Sequence, residues 1–170
     1  MKHQDYRITI LDQDSNPIGS KLRKDIDSVR DIVHVADVFV VQGKKLLLSR
    51  IPSLGLYPGR WSVSAMTMVR EGEQVLTAAK RCLEKELGIV RGEVEILGEK
   101  FFRYSGGVQR HRTSFLCVCD EAISPNPDDV VEICFLSRHE IEKLLLSRRL
   151  DFSPTFFSLW DEYGEQILGR

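Results

Sequence analysis

The sequence predicts a single domain of strands mixed with a few helices, an α+β fold or an α-β-α sandwich. Three observations predict it: alternating β-branched runs spread along the whole chain, one long amphipathic helix in the middle, and two capped helices near the end. At 170 residues the chain is one domain in size, large enough to bury a substantial core.

Taken in order, Tyr6 to Leu11 alternates as a strand, Asp12 to Pro17 is a dense turn signal, and Ile18 to Leu22 returns as the second arm of an N-terminal β-hairpin. Arg23 to Arg30 is polar, with room for a short helix. Asp31 to Val41 is a β-branched strand, and Gly43 turns it into Leu46-Leu47-Leu48. Arg50 to Arg60, with two prolines and two glycines, reads as a surface loop. Trp61 to Val69 reads as one strand, Arg70 to Gly72 as a turn, and Gln74 to Leu87 as a helix burying Val75, Ala79, Cys82 and Leu83. Gly72 suits the open turn, and Gly88 stands where a helix C-cap glycine belongs.

Beyond that helix, Glu93 to Tyr104 and Val108 to Asp120 form a hairpin about Ser105-Gly106-Gly107. Ile123 to Asp129 is a loop and Val130 to Leu136 a strand. Ser137 with Glu140 is a capping-box pattern, and Ser153-Pro154 opens a last helix through about Tyr163.

Composition restricts the partners. The chain is 42% hydrophobic and 29% charged, with a formal net charge of −1. That balance gives no argument for nucleic acid or an anionic membrane as a partner. No apolar run approaches the roughly 20 residues of a membrane span or forms a signal peptide. Cys82, Cys117, Cys119 and Cys134 lack zinc-like spacing and read as packed core thiols. A cytoplasmic location is the expectation; oligomeric state is left open.

The stretch Trp61 to Ile89 resembles the Nudix box, G-x5-E-x7-R-E-U-x-E-E-x-G-U with U a bulky aliphatic. Glu73, Arg81, Leu83, Glu86, Gly88 and Ile89 match; Thr67, Cys82 and Lys85 replace the glycine and two of the glutamates. The resemblance spans nearly the whole chain and is similar to the isopentenyl-diphosphate-isomerase-like group of the Nudix superfamily. It implies a Nudix-type α-β-α sandwich with a mixed central sheet over residues 1–170, and in the family the lost positions carry carboxylates that hold Mg²⁺ against a diphosphate. Residues 82, 85 and 86 share one helix face, so a thiol and an ammonium now stand beside Glu86. The isomerases' catalytic cysteine and metal-binding histidine fall on Met66 and Met68. Their Glu-x-Glu falls near Gln109 to Thr113, which has no carboxylate, and His34 matches one metal-binding histidine. Isomerase activity is therefore not expected, because methionine transfers no proton at neutral pH.

By this resemblance Glu86 is the candidate catalytic carboxylate and Mg²⁺ ligand, or a structural partner of Arg81, Lys85 or the loop before the helix. Glu73 is a second candidate ligand, or with Arg81 pins the loop to the helix. Arg50, Arg81 and Lys85 are the candidate substrate contacts; Gly72 and Gly88 are the structural glycines of the box. Asp128, Asp129 and Glu132 are carboxylates outside the box that could complete a site, and Arg70 and Arg112 are basic groups that could join Lys85. Two functions follow. One is a divergent Nudix hydrolase acting on a nucleoside or other organic diphosphate with Mg²⁺. The other is an inactive module holding a small phosphorylated ligand or a protein partner.

Overall fold

The computed structural model describes residues 5–53 and 55–169; Leu54, inside the predicted 50–60 loop, lies outside them. Everything is arranged around one long strand, β3 (Ile32–Gln42). β1 (Arg7–Leu11) and β2 (Pro17–Leu22) form the predicted hairpin. One edge of β3 is then paired in series, by β1 at Ile32 and Val33, by β6 (Ala65–Met68) at Val35 to Val38, and by β4 (Lys45–Arg50) at Val40 to Gln42. These pairings are antiparallel. The other edge pairs in parallel with β8 (Gln109–Val118), which pairs antiparallel with β7 (Glu93–Arg103), so the sheet is mixed. β5 (Trp61–Ser62) and β9 (Ile133–Leu136) extend it beyond β4.

The alternation of β3 sets the layers. Ala36, Val38 and Val40 bury one face with Ala79, Cys82, Leu83 and Phe115 beneath α1 (Val75–Cys82). Phe39 and Val41 bury the other with Phe156, Leu159 and Trp160 of α3 (Pro154–Leu168) and Ile141 of α2 (Arg138–Ser147). Helices therefore cover both faces, as predicted. The capping box is present: Glu140 N–H donates to Ser137 Oγ, and the Glu140 carboxylate accepts from Ser137 N–H at 2.7 Å. Among the described residues no helix is long and apolar enough to cross a membrane.

Several expectations need correction. Trp61 to Val69 is two strands with different partners. At the break the Ser64 hydroxyl does the work of a backbone pair, accepting from Val40 N–H at 2.7 Å and donating to the Leu47 carbonyl. The short helix expected within Arg23 to Arg30 is present as a 3-10 helix, Arg23–Asp25; after it Asp27 accepts from Val29 and Arg30 N–H groups and turns the chain. The last helix runs on to Leu168. The central helix is α-helical only to Cys82, and Leu83–Leu87 continues it as a wider π turn. That turn ends at Gly88, whose φ of 71° is open to glycine. Its cause lies elsewhere in the chain: Ser124 and Asn126 N–H groups donate to the Leu87 and Glu86 carbonyls, both at 2.9 Å. A helix end supported from outside does not need its own tight ladder.

Candidate functional site

A cleft of about 540 Å³ runs along the outer side of α1 and its π turn, lined by Tyr6, Thr67, Arg70, Arg81, Lys85, Glu86 and Asn126, among others. The structure thus brings four predicted residues together, Arg70, Arg81, Lys85 and Glu86.

Glu73 and Arg81 close on each other. Arg81 Nε donates to Glu73 Oε1 at 2.7 Å and Nη2 to Oε2 at 2.9 Å, and Oε2 also accepts from Arg70 N–H. The remaining Arg81 donors reach Thr67 Oγ1 and the Met68 carbonyl, both at 3.2 Å. The fork ties the loop before α1 to the helix and to β6. Burial alone would raise the Glu73 carboxyl, but the Arg81 fork and the Arg70 N–H hold it below its ordinary value. Both Glu73 oxygens are thereby committed in this arrangement. Thr67, which replaces the box glycine, supplies one of the acceptors.

The far end of the helix differs. Cys82 is 1% exposed, its thiol donating to the Ala79 carbonyl at 3.2 Å, and burial pushes its pKa well up. Lys85 pairs neither with Glu84 nor with Glu86 but with Asp129, Nζ to Oδ1 at 2.7 Å. Asp129 Oδ2 accepts from the Asn126 side chain at 2.9 Å. Glu86 is half-buried, and among the described residues its one hydrogen bond is a long one of 3.4 Å from Met66 N–H. Burial, reinforced by Asp129, pushes the Glu86 pKa up to about 8, against the opposing pull of the Met66 N–H, Lys85 and Arg81. That shift favours the protonated form of Glu86 relative to an ordinary carboxylate.

This donor set does not fit a cluster of divalent ions. One thiol faces the core, one position is an ammonium already bound to the nearest outside carboxylate, and Glu73 is held in its fork. Among the described residues no group of three or more His, Cys, Asp or Glu is arranged to hold a metal. Glu86 with Asp129 is the residual oxygen pair.

Arg50, Asp128, Arg112 and His34 do not line the cleft. Arg50 stacks on Trp61, 4.6 Å from the ring centre, and pairs with Glu132 at 2.9 Å. Asp128 caps its own loop through its N–H to Asn126 Oδ1. Arg112 does not join Lys85: by strand alternation it points to the sheet face away from α1, where Nε and Nη2 donate to Asp37 at 2.7 and 2.5 Å. His34 sits between Thr113, whose Oγ1 is 2.7 Å from Nε2, and the stacked ring of His111. Burial, with His111, depresses its pKa to about 4, against a weaker opposite pull from Glu99. It is a neutral core histidine. Tyr6 and Asn126 were not legible as site residues. Tyr6 belongs because Arg70 lies over its ring at 4.3 Å, and Asn126 because its loop docks on the π turn.

The NUDIX domain model matches residues 31–156, and the chain belongs to the Nudix family. It is 29% identical to an uncharacterised Nudix hydrolase of Yersinia pestis over 96% of this chain and 90% of the relative. It is 25% identical to the isopentenyl-diphosphate Delta-isomerase of Agromyces mediolanus, over 86% of this chain and 75% of the isomerase. Among solved structures, DR0079 from Deinococcus radiodurans aligns with a TM-score of 0.68 at 21% identity, covering 84% of this chain and 90% of that one. The MutT protein of Methanosarcina mazei Go1 aligns with a TM-score of 0.65 at 16% identity, covering 79% and 94%. These structural likenesses concern the fold.

Proposed function

We propose that this Nudix chain binds a small phosphorylated ligand, an organic phosphate or diphosphate, in the cleft along α1, with side-chain cations in place of a metal cluster. The observation that carries the reading is the Lys85–Asp129 pair at 2.7 Å beside Glu86. A resident ammonium stands on the face where the family's box places metal-binding carboxylates. An incoming phosphate competes with Asp129 for Lys85, and Arg70, whose buried Nε makes no hydrogen bond among the described residues, lies in the same cleft. With its pKa raised, Glu86 opposes such a ligand less than an ordinary carboxylate would, and its protonated form offers an O–H donor.

One observation favours a second reading. Asp129 is close enough to Glu86 to raise its pKa, so a single Mg²⁺ brought by a diphosphate would find two carboxylate partners there once Lys85 moved aside. The ion would neutralise phosphoryl oxygens, and the chain would then be a hydrolase of nucleoside or other organic diphosphates.

A panel of nucleoside and isoprenoid diphosphates separates the two. The binding reading expects thermal stabilisation in the presence of EDTA and no phosphate or diphosphate release with Mg²⁺. Mg²⁺-dependent release that disappears in Glu86→Gln would replace it with the hydrolase reading.

A further inference from the structure

β7 is 11 residues long, and among the described residues it pairs with β8 alone, so its other edge ends the sheet. No further backbone group of the described residues bonds to that edge. A long open edge is a template for another strand, and proteins commonly protect such edges with charge, proline or a bulge. β7 has no proline and one bulge, where its register shifts between Ile96 and Gly98. Its charges are divided by sign: Glu93, Glu95 and Glu99 all precede Lys100 and Arg103. An edge of one sign repels a copy of itself in every register. An edge divided in this way is complementary to its own antiparallel copy.

The two faces of β7 fix the register of such a pairing. Glu95 lies opposite Leu116 on the α3 side of the sheet. Beyond the bulge Lys100 lies on the same side, its Nζ reaching Glu162 of α3 at 2.6 Å. Val94 and Ile96 lie opposite Cys117 and Phe115 on the α1 side, and Phe101 lies opposite His111 on that side too. Directly opposed residues of antiparallel strands share a face. A two-fold axis between Leu97 and Gly98 satisfies this: Glu95 meets Lys100 of the other copy and Val94 meets its Phe101, each twice. Ile96, 62% exposed, then lies opposite Glu99 and diagonal to that same Phe101. No two like charges are opposed.

We propose that β7 is the edge through which two copies of this chain pair, antiparallel, continuing the sheet across a two-fold axis with Glu95 and Lys100 as the reciprocal ion pairs. The occupant is a second copy because the charge order of β7 complements itself. Pairing through one strand buries little surface, so the dimer is weak and depends on concentration. It does not depend on what the cleft binds.

Sedimentation velocity of the full chain over a hundredfold concentration series reads this directly. The parent is expected to pass reversibly from monomer towards dimer. Glu95→Lys, at an exposed position, opposes like charges at both ion pairs and should weaken association about tenfold. Adding Lys100→Glu together with Glu162→Lys reverses the partner charge while keeping the pair to α3, and should restore the parental association. Circular dichroism checks that each variant is folded. A chain that stays monomeric throughout overturns the proposal and leaves the edge to a strand of another protein. A dimer that Glu95→Lys leaves as tight as the parent, or whose loss the threefold exchange does not repair in a folded variant, overturns it as well.

Discussion

On the approach to α1 a carboxylate and a guanidinium close on each other; at its far end a carboxylate and an ammonium sit next to each other in sequence and do not pair. Glu73 and Arg81 satisfy both fork bonds and spend their spare capacity on Arg70, Thr67 and Met68. Lys85 turns away to Asp129, and Glu86 is left with one long contact and a raised pKa. The first arrangement is framework, complete without a ligand. The second keeps unspent hydrogen-bonding capacity in a cleft. A Nudix fold can therefore keep the half of its box that shapes the loop and helix while the half that faces the ligand changes chemistry.

The sharpest way to break this contrast is to cut the framework. Glu73→Ala leaves a partly buried guanidinium without its fork and should cost about 3 kcal/mol, near the lower end for a broken buried pair. Urea unfolding of the variant measures it; a loss below about 1 kcal/mol would place Glu73 with the weak surface pairs instead.

A smaller effect comes from Glu86. Its folded-state pKa lies above the ordinary carboxylate value, so the stability it contributes is fully present below about pH 4.5 and is lost as pH rises through about 8. His34 acts in the opposite sense. Its pKa is depressed to about 4, so its contribution is present above about pH 6.5 and lost as pH falls through 4. The difference between the parent and Glu86→Gln removes the histidine from the comparison. Glu86→Gln should gain on the parent between pH 5 and 8, by about 1–2 kcal/mol, or roughly 2–8 °C in melting temperature. A parallel pair of pH profiles would show that Glu86 ionises normally.

Lys85→Ala should cost least, under about 1 kcal/mol, because the Lys85–Asp129 pair is partly exposed. The same denaturation series measures it, and a loss as large as that of Glu73→Ala would make the far end framework too.

The framework half was legible in the sequence because its rules are local. The Glu73–Arg81 spacing, Gly88 after the helix and the Ser137–Glu140 pattern each act within a few residues. What was not legible depends on distant segments. The π turn is set by Ser124 and Asn126, and the partner of Lys85 lies 44 residues on. The break at Ser64 needs Val40 and Leu47, and Arg112, expected as a basic group that could join Lys85, is turned to Asp37 on the other sheet face by its strand register. The site was therefore half readable: its residues could be listed, but which of them were already engaged could not.

On the proposed reading, the far end of α1 binds phosphate oxygens through Lys85 without a metal. Calorimetric titration of inorganic pyrophosphate in EDTA, into the parent and into Lys85→Ala, tests it most directly. The account predicts saturable binding by the parent and a loss of about tenfold in affinity, or 1.4 kcal/mol, in the variant. Binding that appears only when Mg²⁺ is supplied, and that survives Lys85→Ala but not Glu86→Gln, would contradict it.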